Sequence, residues 1–432
     1  MTEPLRNGKI ELMAPAGSFE AIASAYRAGA DSIYFGVGRL NMRARASYNF
    51  TEGDIRKIST LCRRSGMRAY LALNTIIYDD DIPEMRRLVD TACGAGLSGI
   101  IASDIAVMEY ARSKGMEVHV SVQANIANTE SLRLYSRYAD VAVLARELTL
   151  EKISAIAGAV KEQDIRGPSG KQVRLELFVH GALCISVAGV CHMSLANYNT
   201  SANRGDCFQN CRRKYKVVDD ETGFEMALDN SYVMSPKDLC TIRILDMILA
   251  SGVTVLKIEG RGRGPDYVHN VVSAYRKAVD MWLAGTFTGA GARELETGLE
   301  TVFNRGFWHG GYYLGDRTGE WSGISGNRSK VRKSHAGGVE NYFPKAGVAQ
   351  VRLAASDLRN GDTILVTGRT TGALRLAVDG MLIDGVPVAN ARKGATVTFP
   401  VPEKVRRGDK VYRLDEGSGD GTVRTNKTGD PR

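Results

Sequence analysis

Eight short apolar runs of β-forming residues recur through the first two thirds of the chain, and each is followed by a longer connecting segment. The runs are IELMA (10–14), SIYFG (32–36), AYLALN (69–74), GIIAS (99–103), EVHVSV (117–122), VAVLA (141–145), LELFV (175–179) and VTVLKI (253–258). Between them lie amphipathic patterns with helical spacing, such as FEAIASAYRAGA, DIRKISTLCRRSGM, IPEMRRLVDTACGAG and LEKISAIAGAV. Several of these close on Gly just before the next run, the usual C-terminal stop of a helix. Apolar strands alternating with helices imply a parallel sheet covered on its outside. Eight such units are the count of a (β/α)8, TIM-like barrel. A doubly wound open sheet is the alternative, but it needs no eighth unit and its first turn usually reads G-x-G-x-x-G; here that turn is APAGSFE.

One connection breaks the rhythm. The segment between the seventh and eighth runs, residues 180–252, is far longer than the others, and long connections in compact domains tend to be functional. It holds four of the seven cysteines, Cys184, Cys191, Cys207 and Cys211, so the barrel is expected to carry a cysteine-rich insertion over 181–250. Cys184 follows the seventh run closely, which puts the group at the C-terminal mouth where barrel active sites form. Four thiolates so close in sequence are a ligand set for an iron–sulfur cluster or a zinc ion. Zinc sites usually pair their cysteines in two short knuckles; here only Cys207 and Cys211 have that spacing, although His192 could replace a thiolate. Irregular spacing in a loop suits a cluster better, with unmetallated thiols as the plain alternative. Cys62, Cys93 and Cys240 fall in helical or apolar patterns and read as small buried hydrophobes. A thiol nucleophile with His180 or His192 as base is a further possibility, since Cys–His catalysis needs only that the pair meet in space.

Composition narrows the partners. The 57 Lys and Arg against 48 Asp and Glu leave a net charge of +9, compatible with an anionic partner such as RNA. No uncharged apolar run is long enough to span a membrane, and the first residues lack the apolar stretch of a signal peptide, so a cytoplasmic location is the default expectation. From about residue 340, short alternating runs with Gly-containing turns suggest a small β-barrel. The expected division is therefore 1–325 for the (β/α)8 domain, 326–415 for the small barrel as an RNA-binding unit, and 416–432 for a polar, disordered tail.

Polar residues just past the expected strands could ring the barrel mouth: Asn74, Asp104, Gln123, Asn125, Arg146, Glu147, His180, Lys257, Glu259 and Arg261. Each could equally cap a helix or form an ion pair. The loop after the second run adds Arg39, Arg43 and Arg45, which could hold carboxylate or phosphate groups. The stretch Arg212, Arg213, Lys214 and Tyr215 joins basic groups to an aromatic ring that can stack on a base. A second basic cluster, Arg328, Lys330, Arg332 and Lys333, leads into the C-terminal unit. Solvated surface charge is the plain reading of both.

The segments ELMAPAG, GADSIYFG, SVQANIAN, ELFVHGALC, GVCHMS, NRGDCFQNCRRKY, MSPKDL and LKIEGR together resemble the collagenase-like peptidases of unassigned catalytic type. Within that family they look most like the bacterial tRNA uridine hydroxylation proteins. The resemblance implies a (β/α)8-type domain with a [4Fe–4S] cluster on Cys184, Cys191, Cys207 and Cys211. It further implies oxygen-independent hydroxylation at C5 of the tRNA wobble uridine with prephenate required. Relatives acting on ribosomal RNA, and the peptidase label itself, are the alternatives. Prephenate is a dicarboxylate, and Arg43, Arg45, Lys257 and Arg261 are the cations expected to bind it.

Overall fold

The computed structural model of the chain describes residues 10–45, 49–187, 189–226, 232–315, 320–324 and 326–416. Seven strands follow in order: β1 (Glu11–Pro15), β2 (Ser32–Gly36), β3 (Arg68–Leu73), β4 (Gly99–Ala102), β5 (Glu117–Val120), β6 (Val141–Val143) and β7 (Arg174–Ala182). Each pairs in parallel with the next. An eighth strand, Val255–Ile258, pairs in parallel with both β7 and β1 and closes the ring. The expected (β/α)8 barrel is therefore the observed one. The expected tail falls almost wholly outside the described residues.

Helices cover the outside, and their starts follow the sequence. Ser18 accepts the Ala21 backbone N–H, Asp104 that of Ala106 and Thr149 that of Lys152, which satisfies donors the first helical turn would leave open. The outward faces of the strands and the inward faces of the helices form one apolar layer, including Leu12, Ile33, Phe35, Leu71, Ile100, Leu175, Leu256, Val271 and Tyr275.

The inside of the barrel differs. In β1, β3, β5 and β7 every second residue points to the axis, and at the N-terminal end these are Glu11, Arg68, Glu117 and Arg174. One layer up stand Tyr70, His119 and Glu176. Met13, Tyr34, Ile101, Val141 and Val255 fill the space between. Arg174 donates to Glu11 at 2.6 Å and to Glu117 at 3.1 Å, while Arg68 pairs with both carboxylates. A layer of alternating charges from alternate strands cross-links the ring, where barrels of this class usually stack branched apolar side chains.

β7 is longer than its neighbours and overshoots the barrel. Its last residues, His180 to Ala182, pair antiparallel with Asp238–Cys240, and that strand pairs in parallel with Phe307–Trp308. Gly181 allows the turn away from the ring: its φ is +110°, and a Cβ there would lie 2.6 Å from the Glu259 carbonyl oxygen. The insertion between these strands carries the four clustered cysteines above the barrel mouth.

The C-terminal strands form an eight-stranded antiparallel sheet around a separate core of Val339, Val351, Leu353, Ile364, Val366, Phe399 and Val411. The long strand Val331–Phe343 pairs on one side with Lys410–Glu416 and on the other with Val348–Leu353, with bulges that bend it. The unit packs on the barrel helices Phe19–Arg27 and Pro265–Leu283. Arg369 sits over the Phe19 ring at 4.7 Å, Lys333 pairs with Asp266 at 2.7 Å, and Arg27 pairs with Glu403.

The axial charges set the response to acid. Burial pushes the Glu11, Glu117 and Glu176 carboxyls up, but the neighbouring cations outweigh it and hold all three low, Glu176 at about 2. A carboxyl depressed in the folded state contributes stability that is complete above its unfolded value of about 4.3 and is lost as pH falls through the folded one. The urea midpoint is therefore expected to drop steeply below about pH 4.3. Arg68→Met, which leaves the buried Glu11 with one cation fewer, is expected to cost about 3–5 kcal/mol at neutral pH. A parent midpoint that is flat with acid, or an Arg68→Met protein as stable as the parent, would contradict this account.

Candidate functional site

At the C-terminal mouth the strand ends and the insertion enclose a cavity of about 450 Å³. Its floor is made by Tyr34 of β2, Ala72 of β3, Ile101, Phe178 of β7 and Lys257 of the closing strand. Asn74, Ser121 and Gln123 stand on one side, and Glu259 and Arg261 on another. All four clustered cysteines line the same cavity.

The thiols occupy short irregular elements. Cys191 caps the helix His192–Tyr198, and Cys211 lies in the turn Asn210–Arg212. Arg212 ties this loop to the barrel, donating to the Leu183 carbonyl beside Cys184, to the Pro236 carbonyl at 2.6 Å and to Ser235 Oγ at 3.1 Å. Burial pushes the Cys211 thiol up, opposed by Arg212 and reinforced by the other three sulfurs, which are close enough to interact with it. Among the described residues no three ligating side chains meet closely enough to hold a single ion. A cluster does not require that, because its thiolates bind different irons and ring a space rather than meet at a point. Four soft donors on one cavity wall fit such a group.

Eight cations line the cavity (Arg43, Arg45, Arg146, Arg212, Lys257, Arg261, Arg263 and Arg305) against one carboxylate, Glu259. Half of them are already neutralised. Arg43 pairs with Glu259 at 2.6 Å, Arg45 with Asp206 at 3.5 Å, Lys257 with Glu176 at 2.7 Å and Arg305 with Asp238 at 3.0 Å. Arg43 holds the Glu259 carboxyl at about 2 against the upward push of burial. The other four, Arg146, Arg212, Arg261 and Arg263, have no ion pair among the described residues.

Arg146 stacks over the Phe178 ring at 4.5 Å, and its buried Nε and Nη1 have no hydrogen-bond partner. Arg261 is held by Asn41 at 3.0 Å in space that a side chain at Gly36 would fill, since a Cβ there would lie 2.4 Å from its Nη1. Burial lowers the Arg261 guanidinium to about 10, as expected of a cation lacking a counter-charge. Unpartnered buried donors above an apolar floor of Tyr34, Ile101 and Phe178 form a receptor for an anion with an unsaturated or aromatic body.

The sequence-derived candidates thus divide. Arg43, Arg45, Gln123, Lys257, Glu259 and Arg261 meet in the cavity with the four cysteines, but Arg43, Arg45 and Lys257 arrive already paired. Asn125 is exposed in a left-handed turn outside it. His180 lies behind the wall, packed among Tyr267, Tyr275 and Phe307, and burial holds its ring down to about 3. Arg212 is a structural clamp within the wall, whereas Arg213 and Lys214 are exposed and Tyr215 donates to the Asn210 carbonyl. Arg328, Lys330, Arg332 and Lys333 are exposed and do not line the cavity, with Lys330 and Lys333 paired to the barrel residues Glu300 and Asp266. Asp104 takes the plainer role of a helix cap.

Arg263 and Arg305 escaped the sequence reading, as did the axial residues Glu117, His119 and Glu176. A signal for the axial group was present: EVHV and RLEL alternate charged and apolar residues, the period-two mark of a strand with one polar face.

The chain is 48% identical over 406 residues to a "Collagenase" of Porphyromonas gingivalis, covering 94% of this chain and 98% of that one. It is 31% identical over 283 residues to the "tRNA hydroxylation protein P1" of Bacillus subtilis, covering 64% of each. It is also 31% identical over 322 residues to the "23S rRNA 5-hydroxycytidine C2501 synthase" of Escherichia coli, covering 72% of this chain and 46% of that one. The model of Peptidase family U32 matches residues 17–323, from just after β1 through the rest of the barrel and the cysteine insertion; the chain belongs to that family.

Proposed function

We propose that the cavity is the active site of an iron–sulfur enzyme for oxygen-independent hydroxylation of RNA. Its substrate is the tRNA wobble uridine, converted to 5-hydroxyuridine with prephenate as co-substrate. The observation that carries this reading is the meeting of four thiols with three cations, Arg146, Arg261 and Arg263, that lack carboxylate partners in one cavity at the barrel mouth. Cys184, Cys191, Cys207 and Cys211 would hold a [4Fe–4S] cluster, which supplies electron transfer and Lewis acidity when bound. The chain's own residues supply the binding. Arg146 offers unfilled donors and Arg261 an uncompensated charge to carboxylate oxygens, and Phe178 and Tyr34 give an apolar floor for the ring between them. A base splayed from a single-stranded loop can enter the mouth at modest cost, with exposed Arg213 and Lys214 nearby for phosphates. Relatives named for tRNA and rRNA hydroxylation support an RNA substrate, and do not by themselves choose between the two.

The relative named collagenase is the ground for a second reading, peptide hydrolysis. A thiol nucleophile there would need a base within hydrogen-bond reach. No histidine lines the cavity among the described residues, and Glu259, its sole carboxylate, is tied to Arg43. The geometry favours the RNA reading.

Protein purified without oxygen is expected to carry about four irons and four sulfides per chain, and Cys184→Ala or Cys207→Ala to lose most of the iron. Colourless, iron-free protein that still works would overturn the cluster assignment. Mass spectrometry of tRNA nucleosides from a deletion strain should show 5-hydroxyuridine and its derivatives missing, restored by the parent gene and not by Cys184→Ala. An unchanged nucleoside profile, or collagen cleavage abolished by Cys184→Ala, would favour the second reading. Arg146→Ala removes charged hydrogen bonds worth about 1.5–3 kcal/mol each, so half-saturation by prephenate should rise by about tenfold or more with little effect on tRNA binding. Unaltered prephenate dependence would remove Arg146 from the site.

A further inference from the structure

The cavity does not end at its floor. Lys257 Nζ, in the floor, donates to Glu176 Oε1 at 2.7 Å. The other oxygen of Glu176 meets His119 Nδ1 at 2.7 Å, and His119 Nε2 meets Glu117 Oε1 at 3.0 Å. Glu117 and its partner Arg174 reach the opposite end of the barrel, where their side chains are 14% and 26% exposed. His119 and Glu176 are fully buried. An unbroken line of hydrogen bonds thus runs along the barrel axis from the cavity to solvent on the far face.

We propose that Lys257, Glu176, His119 and Glu117 form a proton path that exchanges protons between the cavity and bulk water while the mouth is closed by substrate. Two features beyond continuity support it. Both ring nitrogens of His119 face carboxylate oxygens, and ionised carboxylates only accept, so the segment must hold a proton shared between the imidazole and its neighbours. Along the axis four cations (Arg68, His119, Arg174 and Lys257) face three carboxylates (Glu11, Glu117 and Glu176), so one proton can leave and bring the column to neutrality. The arginines cannot release it. The two carboxylates raise the His119 imidazole against burial, whereas burial lowers the Lys257 ammonium in spite of Glu176, with Arg261 adding to the push. The Tyr34 and Phe178 rings face Lys257, and Tyr70 packs on His119 at 4.3 Å.

The step balances without an oxidant or reductant. Lys257 gives a proton to a group in the cavity and becomes a neutral amine. The His119 Nδ1 proton passes by way of the Glu176 carboxylate to Lys257, which leaves a neutral imidazole protonated at Nε2; the ring then turns its bare Nδ1 toward Glu117, which hands on a proton taken from water. The reverse sequence removes a proton from the cavity. Lys257 is the group that faces substrate, and the other three are positioning and relay residues. The proposal rests on the preceding reading only in taking the cavity as the place of reaction.

The test has two arms. Protein labelled with 15N at histidine is studied by NMR at neutral pH, with the His119 signal assigned by its shift in Glu117→Gln. Protons on both ring nitrogens are expected, and a neutral imidazole of one fixed tautomer would overturn the path. In the second arm, formation of 5-hydroxyuridine is followed with iron content and tRNA affinity as controls. Lys257→Arg keeps a cation that does not release its proton, so turnover should fall by about tenfold or more while tRNA affinity stays within about twofold. Glu117→Gln, remote from substrate, should lower kcat severalfold and leave KM unchanged. A primary amine added to Lys257→Ala should restore part of the rate. Parent-like turnover in both Lys257→Arg and Glu117→Gln would sink the proposal. If the parent makes no 5-hydroxyuridine, the functional reading fails while the NMR arm still decides the path.

Discussion

The buried charge ladder on the barrel axis is the interaction on which the rest depends. Glu11, Arg68, Glu117 and Arg174 come from four alternate strands, so their ion pairs fix the register of the ring where apolar packing would tolerate a slip. Buried ion pairs are seldom a net source of stability compared with apolar residues of similar volume, since desolvation offsets the attraction. Their presence in a core that could be apolar therefore points to a role other than stability. Here the ladder leads through the buried Glu176 to Lys257 in the cavity floor, each with a charged partner.

Above the floor, the fold separates two tasks. The barrel strands give rigid positions to Lys257, Glu259, Arg261 and Phe178, while the insertion after β7 brings in the thiols. The insertion has little core of its own and is anchored to the barrel, in part by Arg212, whose guanidinium binds two carbonyls and a hydroxyl. An arginine in that position is unavailable to a ligand, which is why a basic run such as CRRKY divides in the fold into one clamp and two exposed cations.

The distribution of counter-charges refines what the cavity can bind. Cations near one another in sequence, such as Arg43 and Arg45, already have carboxylate partners, Glu259 and Asp206. Arg146 and Arg261, which follow the two strands flanking β7, do not, and Arg146 keeps two buried donors unfilled. A buried unfilled donor is costly unless a ligand completes it, so the receptor is defined by the unpaired cations rather than by the number of cations.

Much of this was legible in the chain itself. Eight strand–helix units specify a closed parallel barrel because local period and helix stops suffice to count them. Cys184, Cys191, Cys207 and Cys211, placed just after the seventh strand, were readable as one site at the mouth because barrel topology leaves that loop no other end to occupy. Sequence could not say which charges would be neutralised. The pairing of Arg43 with Glu259, of Lys257 with Glu176 and of Lys333 with Asp266 joins residues far apart in the chain, and only closure of the ring and docking of the C-terminal sheet bring them together. His180, four residues before Cys184 in sequence, lies behind the wall where β7 turns at Gly181. Local spacing determines elements and which thiols share one loop; the burial and partnership of a charge depend on the whole fold, because they depend on what every other strand brings within a few ångströms.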